Sequence, residues 1–223
     1  MKRVLVLRPE PGASATVKRA KERGLDARAI PLFEVNPVQW DVPDAGSFDG
    51  LLLTSANAVR HSGEQLKELR GLPVYAVGEA TAEAAREAGF DVASIGEAGV
   101  DRLLGSIESD LKLLHLAGED RRTPEDARQE IRSITVYRAQ ARDEADLRDV
   151  GGCIALIHSP RAGRRFAEFA DSAAKGSIAI AAISEEAADA AGNGWATVES
   201  AEMPSDEALL ALAERLCNNS APK

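Results

Sequence analysis

Short apolar runs recur along the chain, and a longer stretch with helical spacing follows most of them. Residues 3–7, 50–53, 73–77, 92–95, 112–116, 133–137, 153–157 and 177–183 read as strands. Residues 27–32 read as an extended segment in which Pro31 marks an edge or a strand end. Helical spacing covers residues 12–23, 57–69, 79–88, 100–108, 124–131, 161–170, 185–191 and 206–216. A strand that is apolar throughout is buried on both faces, which requires helices above and below its sheet. The alternation therefore predicts an α/β fold with parallel sheets. At 223 residues the chain can form one or two domains with cores that need no disulfide or metal.

The pattern also repeats itself. Leu53-Thr54-Ser55-Ala56-Asn57-Ala58 is similar to Ile157-His158-Ser159-Pro160-Arg161-Ala162, with Ser55 and Ser159 separated by 104 positions. Val77-Gly78-Glu79 is similar to Ile183-Ser184-Glu185 at an offset of 106, and Gly99-Val100-Asp101 to Pro204-Ser205-Asp206 at 105. Three blocks in the same order at nearly constant offset predict two similarly built α/β units. Residues 33–48 and 138–152 lack helical spacing and read as connectors, so the chain is expected to cross between two lobes twice. The expected domains are residues 1–32 with 141–223, and residues 33–140.

Charge and cysteine content narrow the possible partners. Lys and Arg number 27 against 36 Asp and Glu, a formal net charge of -9. Proteins that hold nucleic acid by neutralising phosphates show the opposite balance, so no nucleic-acid partner is expected. Cys153 and Cys217 are far apart in sequence and offer neither a disulfide framework nor a Cys-x-x-Cys metal site. They read as thiols in a reducing cytosol. Val4-Leu5-Val6-Leu7 is too short for a signal peptide core, and no apolar run reaches membrane-spanning length. The expectation is a cytoplasmic monomer without a membrane partner.

In open parallel sheets, ligands bind beyond the carboxyl ends of the strands. Those ends carry Arg8, Thr54-Ser55, Gly78-Glu79, Gly118-Glu119-Asp120-Arg121-Arg122, His158-Ser159-Pro160-Arg161 and Ser184. Ser55, Thr123, Ser159 and Ser184 each stand where a helix N-cap belongs. The free N–H groups of such termini attract anions, and arginine forks suit carboxylates. The usual catalytic signatures are missing from the sequence. There is no phosphate-binding Gly-x-x-x-x-Gly-Lys loop, no Gly-x-Gly-x-x-Gly after the first strand, and no metal spacing among His61, His115 and His158. His158 beside Ser159 lacks a third orienting group for a triad. The chain offers anion donors rather than a nucleophile. That indicates binding, or a reaction whose difficult step belongs to the substrate.

Val4-Leu5-Val6-Leu7-Arg8-Pro9, Leu53-Thr54-Ser55-Ala56-Asn57-Ala58-Val59, Val77-Gly78-Glu79-Ala80-Thr81-Ala82, Ile134-Thr135-Val136-Tyr137-Arg138, His158-Ser159-Pro160-Arg161 and Ala182-Ile183-Ser184 together resemble the uroporphyrinogen-III synthase family. The resemblance implies two flavodoxin-like parallel-sheet lobes joined by a two-stranded linker, with the first lobe discontinuous. It implies a lyase of tetrapyrrole and haem biosynthesis that needs no cofactor and no metal. Its substrate would be hydroxymethylbilane, closed to uroporphyrinogen III with inversion of ring D and loss of water. It further implies that Tyr137 assists departure of the hydroxyl. Arg8, Ser55, Ala56, Thr81, Gly118, Ser159 and Ser184 would offer donors to the carboxylate arms, Thr81 from a cleft-facing position. Glu185 and Glu186 depart from the pattern, since some members carry threonines there, and two acids repel an anion at that helix end. Two alternatives stay open: a non-catalytic two-lobed binder of an anionic metabolite, and a signalling pair of flavodoxin-like lobes. The second would want an acidic pair after the first strand, where Arg8-Pro9 stands instead.

Overall fold

Val4 to Leu7 are fully buried, as an apolar strand covered on both faces must be. In the computed structural model, which describes residues 2–96, 99–121, 124, 127–147 and 150–218, Val4–Val6 form an interior strand of a parallel sheet and Leu7 follows directly. In chain order the elements are β1 (Val4–Val6), α1 (Gly12–Glu22), β2 (Ala27–Ala29), β3 (Phe33–Pro37) and β4 (Gly50–Leu53). Then come α2 (Ala56–His61), β5 (Val74–Val77), α3 (Glu79–Glu87), β6 (Val92–Gly96), α4 (Val100–Ser106), β7 (Lys112–Gly118) and β8 (Glu130–Ala141). The last are β9 (Ile154–Ile157), α5 (Pro160–Phe169), α6 (Ser172–Lys175), β10 (Ala179–Ala182), α7 (Glu185–Ala191), β11 (Thr197–Ser200) and α8 (Asp206–Asn218). The chain divides into two compact units, Met1–Glu34 with Ala141–Lys223, and Val35–Gln140.

The first unit carries a sheet of order β11-β10-β9-β1-β2, with every pair parallel. This is a doubly wound order whose direction reverses between β1 and β9, so a crevice opens at their carboxyl ends. One face is covered by α1 and α8, whose Ala13, Ala20, Leu209, Leu210, Ala213 and Leu216 pack on Val4, Val6, Ile154, Leu156, Ala179 and Ala181. Elsewhere in this unit, Phe166 of α5 is fully buried and stacks on Trp195 at 5.2 Å. Helices α5 and α7 approach closely because Gly163 has no side chain; a Cβ there would lie 2.9 Å from the Ala187 carbonyl.

The second unit has the order β3-β8-β7-β4-β5-β6, with parallel pairing from β8 through to β6. Its direction reverses between β4 and β7. Leu51, Leu53, Leu114, Leu116 and Val136 face one cluster with Trp40, Leu66 and Leu69; Leu52 and Leu113 face Leu103 and Leu104. The chain leaves the first unit within β3 and returns at the end of β8, and these two strands are neighbours in the sheet.

Several expected elements differ from those observed. The single helix over residues 57–69 is interrupted: α2 stops at His61, Gly63 adopts φ +76°, and Glu64–Leu69 is 3-10 helix. Leu66 and Leu69 still reach the core, so their spacing imitates one continuous helix. The helix expected over residues 124–131 fails differently. Thr123, its expected cap, lies outside the described residues, as do 125 and 126. Residues 127–129 are not helical, and Glu130 and Ile131 already belong to β8, which pairs with β7 from Lys112↔Glu130 onward. Gln129 is buried there and donates to the Leu104 and Glu108 carbonyls at 2.9 and 2.8 Å. The connector over residues 33–48 contains β3, and α6 and β11 have no counterpart among the expected elements.

Candidate functional site

The three repeated sequence blocks mark equivalent places. Ser55 and Ser159 both have extended backbones and cap α2 and α5, their Oγ atoms accepting from the Asn57 and Ala162 N–H groups, each at 3.2 Å. Gly78 and Ser184 stand at the N-caps of α3 and α7, and Ser184 Oγ accepts from Ala187 at 3.3 Å. Gly99 precedes α4, and Ser205 Oγ accepts from the Ala208 N–H at the start of α8. Each unit thus sets a row of helix N-termini along the carboxyl edge of its sheet, where backbone N–H groups favour anions.

In the second unit the reversal between β4 and β7 gathers Thr54, Ser55, Ala56 and Gly118, with Tyr137 on the neighbouring β8. Ala56 is the first residue of α2. Tyr137 pairs with Gly118 just past a register shift in the ladder. Its ring lies directly over that glycine: a Cβ on Gly118 would come 2.7 Å from Cζ and 2.9 Å from the hydroxyl oxygen. The ring is half-buried against the core and faces the His61 ring at 6.2 Å between centroids. Burial, then the Arg60 charge, lowers the His61 pKa, so this imidazole is neutral at pH 7. Arg121 donates to the Thr135 hydroxyl at 3.0 Å and the Gly118 carbonyl at 3.4 Å. Thr81, in the first turn of α3, is only 5% exposed, which leaves little of it for a ligand.

Beneath this edge lies a buried polar chain. His115 of β7 is 1% exposed; its Nε2 is 3.1 Å from Thr54 Oγ1 and its Nδ1 is 3.3 Å from Ser133 Oγ. Burial, helped by the Arg121 charge, pulls its pKa from 6.5 to about 4. The ring is therefore neutral and ties β4, β7 and β8 together below the site.

In the first unit the reversal between β1 and β9 brings together Arg8, His158 and Ser159. Here the structure supplies what the sequence hid: His158 does have a carboxylate partner, Asp206 of α8, at 3.0 Å. It is still no nucleophilic triad, because Ser159 Oγ is engaged in capping α5. Burial lowers the His158 pKa, against the pull of Asp206. Burial alone would raise the Asp206 pKa, but hydrogen bonds from His158, Arg19 and Thr16 hold it well below the usual carboxylate range. Ser184 opens α7 with Glu185 and Glu186 beside it in the first turn. Among the described residues, no three His, Cys, Asp or Glu side chains converge as metal ligands would. No helix among them is long and apolar enough to cross a membrane.

A family model described as uroporphyrinogen-III synthase HemD matches residues 14–211. The uroporphyrinogen-III synthase of Chlorobaculum parvum is 34% identical over 101 residues, 41% of this chain and 41% of that protein. A putative uroporphyrinogen-III synthase of Archaeoglobus fulgidus is 37% identical over 81 residues, 36% of this chain and 34% of that protein. The aligned stretches span less than half the length of these curated relatives. The crystal structure of uroporphyrinogen-III synthetase from Helicobacter pylori superposes with a TM-score of 0.69 at 20% identity, over 97% of this chain and 100% of that one. A mutant uroporphyrinogen III synthase from Thermus thermophilus gives 0.57 at 20% identity, over 99% and 100%. At these identities the structures establish a shared fold.

Proposed function

Because the chain belongs to the uroporphyrinogen-III synthase family, as the match over residues 14–211 shows, we propose that it closes hydroxymethylbilane to uroporphyrinogen III. Ring D is inverted and water is lost, a lyase reaction of tetrapyrrole and haem biosynthesis. One observation carries the proposal furthest. Tyr137, the single side chain assigned to the chemistry, rests on Gly118 at the carboxyl end of β7, beside the reversal point of its sheet, and faces His61 at the C-terminal end of α2. Loss of the substrate hydroxyl leaves a stabilised azafulvenium cation that reacts unaided. Free in solution it cyclises to the uninverted isomer, so the protein's task is orientation, through a spiro intermediate. A phenol at Tyr137 donates to the leaving hydroxyl.

Arg8, Ser55, Ala56, Gly118, Ser159 and Ser184 are proposed to take the carboxylate arms, with Ser184 weakened by Glu185 and Glu186. Thr81 is proposed to line the site from the first turn of α3, as the resemblance implies, although its side chain is buried. Residues 1–32 with 141–223, and residues 33–140, are proposed as the folding domains of a cytoplasmic monomer; the two buried cysteines, which form no disulfide, suit a reducing compartment. A non-catalytic binder on the same strand ends would hold the substrate without changing the isomer ratio.

If recognition rests on backbone donors, Ser55→Ala and Ser159→Ala each keep the N–H groups and lose only the cap. Each should retain at least about a tenth of wild-type turnover while losing about 1 kcal/mol of stability. Turnover and urea unfolding, measured on the same preparations, check this; a thousandfold loss in a folded variant would make the hydroxyl itself catalytic.

A further inference from the structure

Asp206 opens α8, yet its carboxylate gathers side chains from three other places in the first unit. Oδ1 accepts from Thr16 Oγ1 at 2.9 Å and His158 Nε2 at 3.0 Å, and lies 3.5 Å from Arg8 Nη1. Oδ2 accepts from Arg19 Nε and Nη2 at 2.9 and 2.7 Å. Two guanidinium groups therefore share one carboxylate beside a neutral imidazole, a local excess of positive charge in a chain of net charge -9. Arg19 is committed to Asp206 by two of its three nitrogens. Arg8 touches it with one nitrogen at longer range, and its side chain is 36% exposed. Arg8 also has a fitted seat. A Cβ on Gly12 would lie 2.7 Å from its Nε and 3.0 Å from its Cζ, so the guanidinium folds over a glycine that leaves room for it.

We propose that Asp206 is a positioning residue: with Gly12 as the floor of the seat, it holds Arg8 so that the rest of the fork meets a substrate carboxylate at the β1/β9 reversal. The inference rests on the reading of Arg8 as a substrate anchor. Asparagine at position 206 keeps the shape but loses the charge, so Arg8 and Arg19 then repel each other across it. An anchor loosened before binding weakens substrate capture more than the chemical step.

The experiment uses the full chain and two readouts. Nitrogen relaxation of the Arg8 Nε–H group should report a fixed side chain in the wild type and a mobile one in Asp206→Asn. With hydroxymethylbilane, Asp206→Asn should raise KM about tenfold and change kcat less than about twofold, with partial rescue in Asp206→Glu. In an Arg8→Ala background the same change should add nothing to KM, which a purely structural role would not produce. Gly12→Ala takes the seat without touching Asp206 and should mobilise Arg8 as well, so a poorly folded Asp206→Asn does not end the test. An Arg8 that stays fixed in both variants, or KM effects that add fully, would overturn the inference. A wild type that forms only the uninverted isomer would defeat the functional reading instead, and the relaxation measurement would still decide whether Asp206 positions Arg8.

Discussion

Tyr137→Phe is expected to slow turnover about 10²-fold and to leave uroporphyrinogen III as the enzymatic product. The first effect follows from the loss of a positioned proton donor, at the low end for general acid catalysis because the leaving hydroxyl departs readily. The second follows because orientation is assigned to the strand-end donors, which the substitution does not touch. The ring itself should stay in place, since Gly118 supports it from below and the second unit's core packs beside it. Gly118→Ala reaches the same group from the other side. Its methyl would stand 2.7 and 2.8 Å from two carbons of the Tyr137 ring and 2.9 Å from the hydroxyl oxygen, so the ring must shift. That overpacking costs about 1–3 kcal/mol of stability and should cost turnover about as much as removing the hydroxyl. The two changes act on one phenol, so the double variant should be no slower than the slower single one. Rate and isomer ratio at matched folded concentration check all three. Unchanged turnover in Tyr137→Phe would reduce Tyr137 to a packed strand residue. Normal substrate loss with only the uninverted isomer would make it a director of orientation.

Acidification should destabilise the protein through His115. Its folded pKa of about 4 lies below the ordinary 6.5, so the unfolded chain binds this proton first. Above pH 6.5 the group costs nothing. The penalty accumulates as pH falls from 6.5 to 4 and then levels off, reaching about 3 kcal/mol at about 1.4 kcal/mol per pH unit. That is a large part of a typical folding free energy of about 5–15 kcal/mol. Urea unfolding between pH 7.5 and 4 should show a steeper loss in the wild type than in His115→Gln, which has no proton to gain there. Equal slopes would mean that the ring titrates as if exposed. His158, whose pKa is also lowered, adds to the loss in the same direction.

The legible parts of the fold were those set by local pattern. Strands β1, β4, β9 and β10 are buried at every residue, and their sequences are apolar at nearly every position. Ser55, Ser159 and Ser184 could be placed as caps because a cap is a contact between near neighbours. Strand β11 escaped because it is short, lies at a sheet edge and is only partly buried. Pro124 with its following acids has a sound helix-start pattern, but pairing of β8 along β7 claims Glu130 and Ile131. The pattern cannot show that, because the partner strand is set by tertiary structure. The Asp206 network was hidden for the same reason: its members come from positions 8, 16, 19, 158 and 206, which only the folded sheet brings together. Tyr137 was singled out by the family resemblance, and its seat on Gly118 depends on a ladder irregularity that sequence does not reveal.

The most direct test of the whole account is to incubate the purified protein with hydroxymethylbilane and separate the product isomers. Uroporphyrinogen III, with ring D inverted, is expected to dominate, and its share should rise with protein concentration. A product mixture identical to that formed in buffer, with substrate merely bound, would contradict it and leave the strand-end donors as the site of a binder.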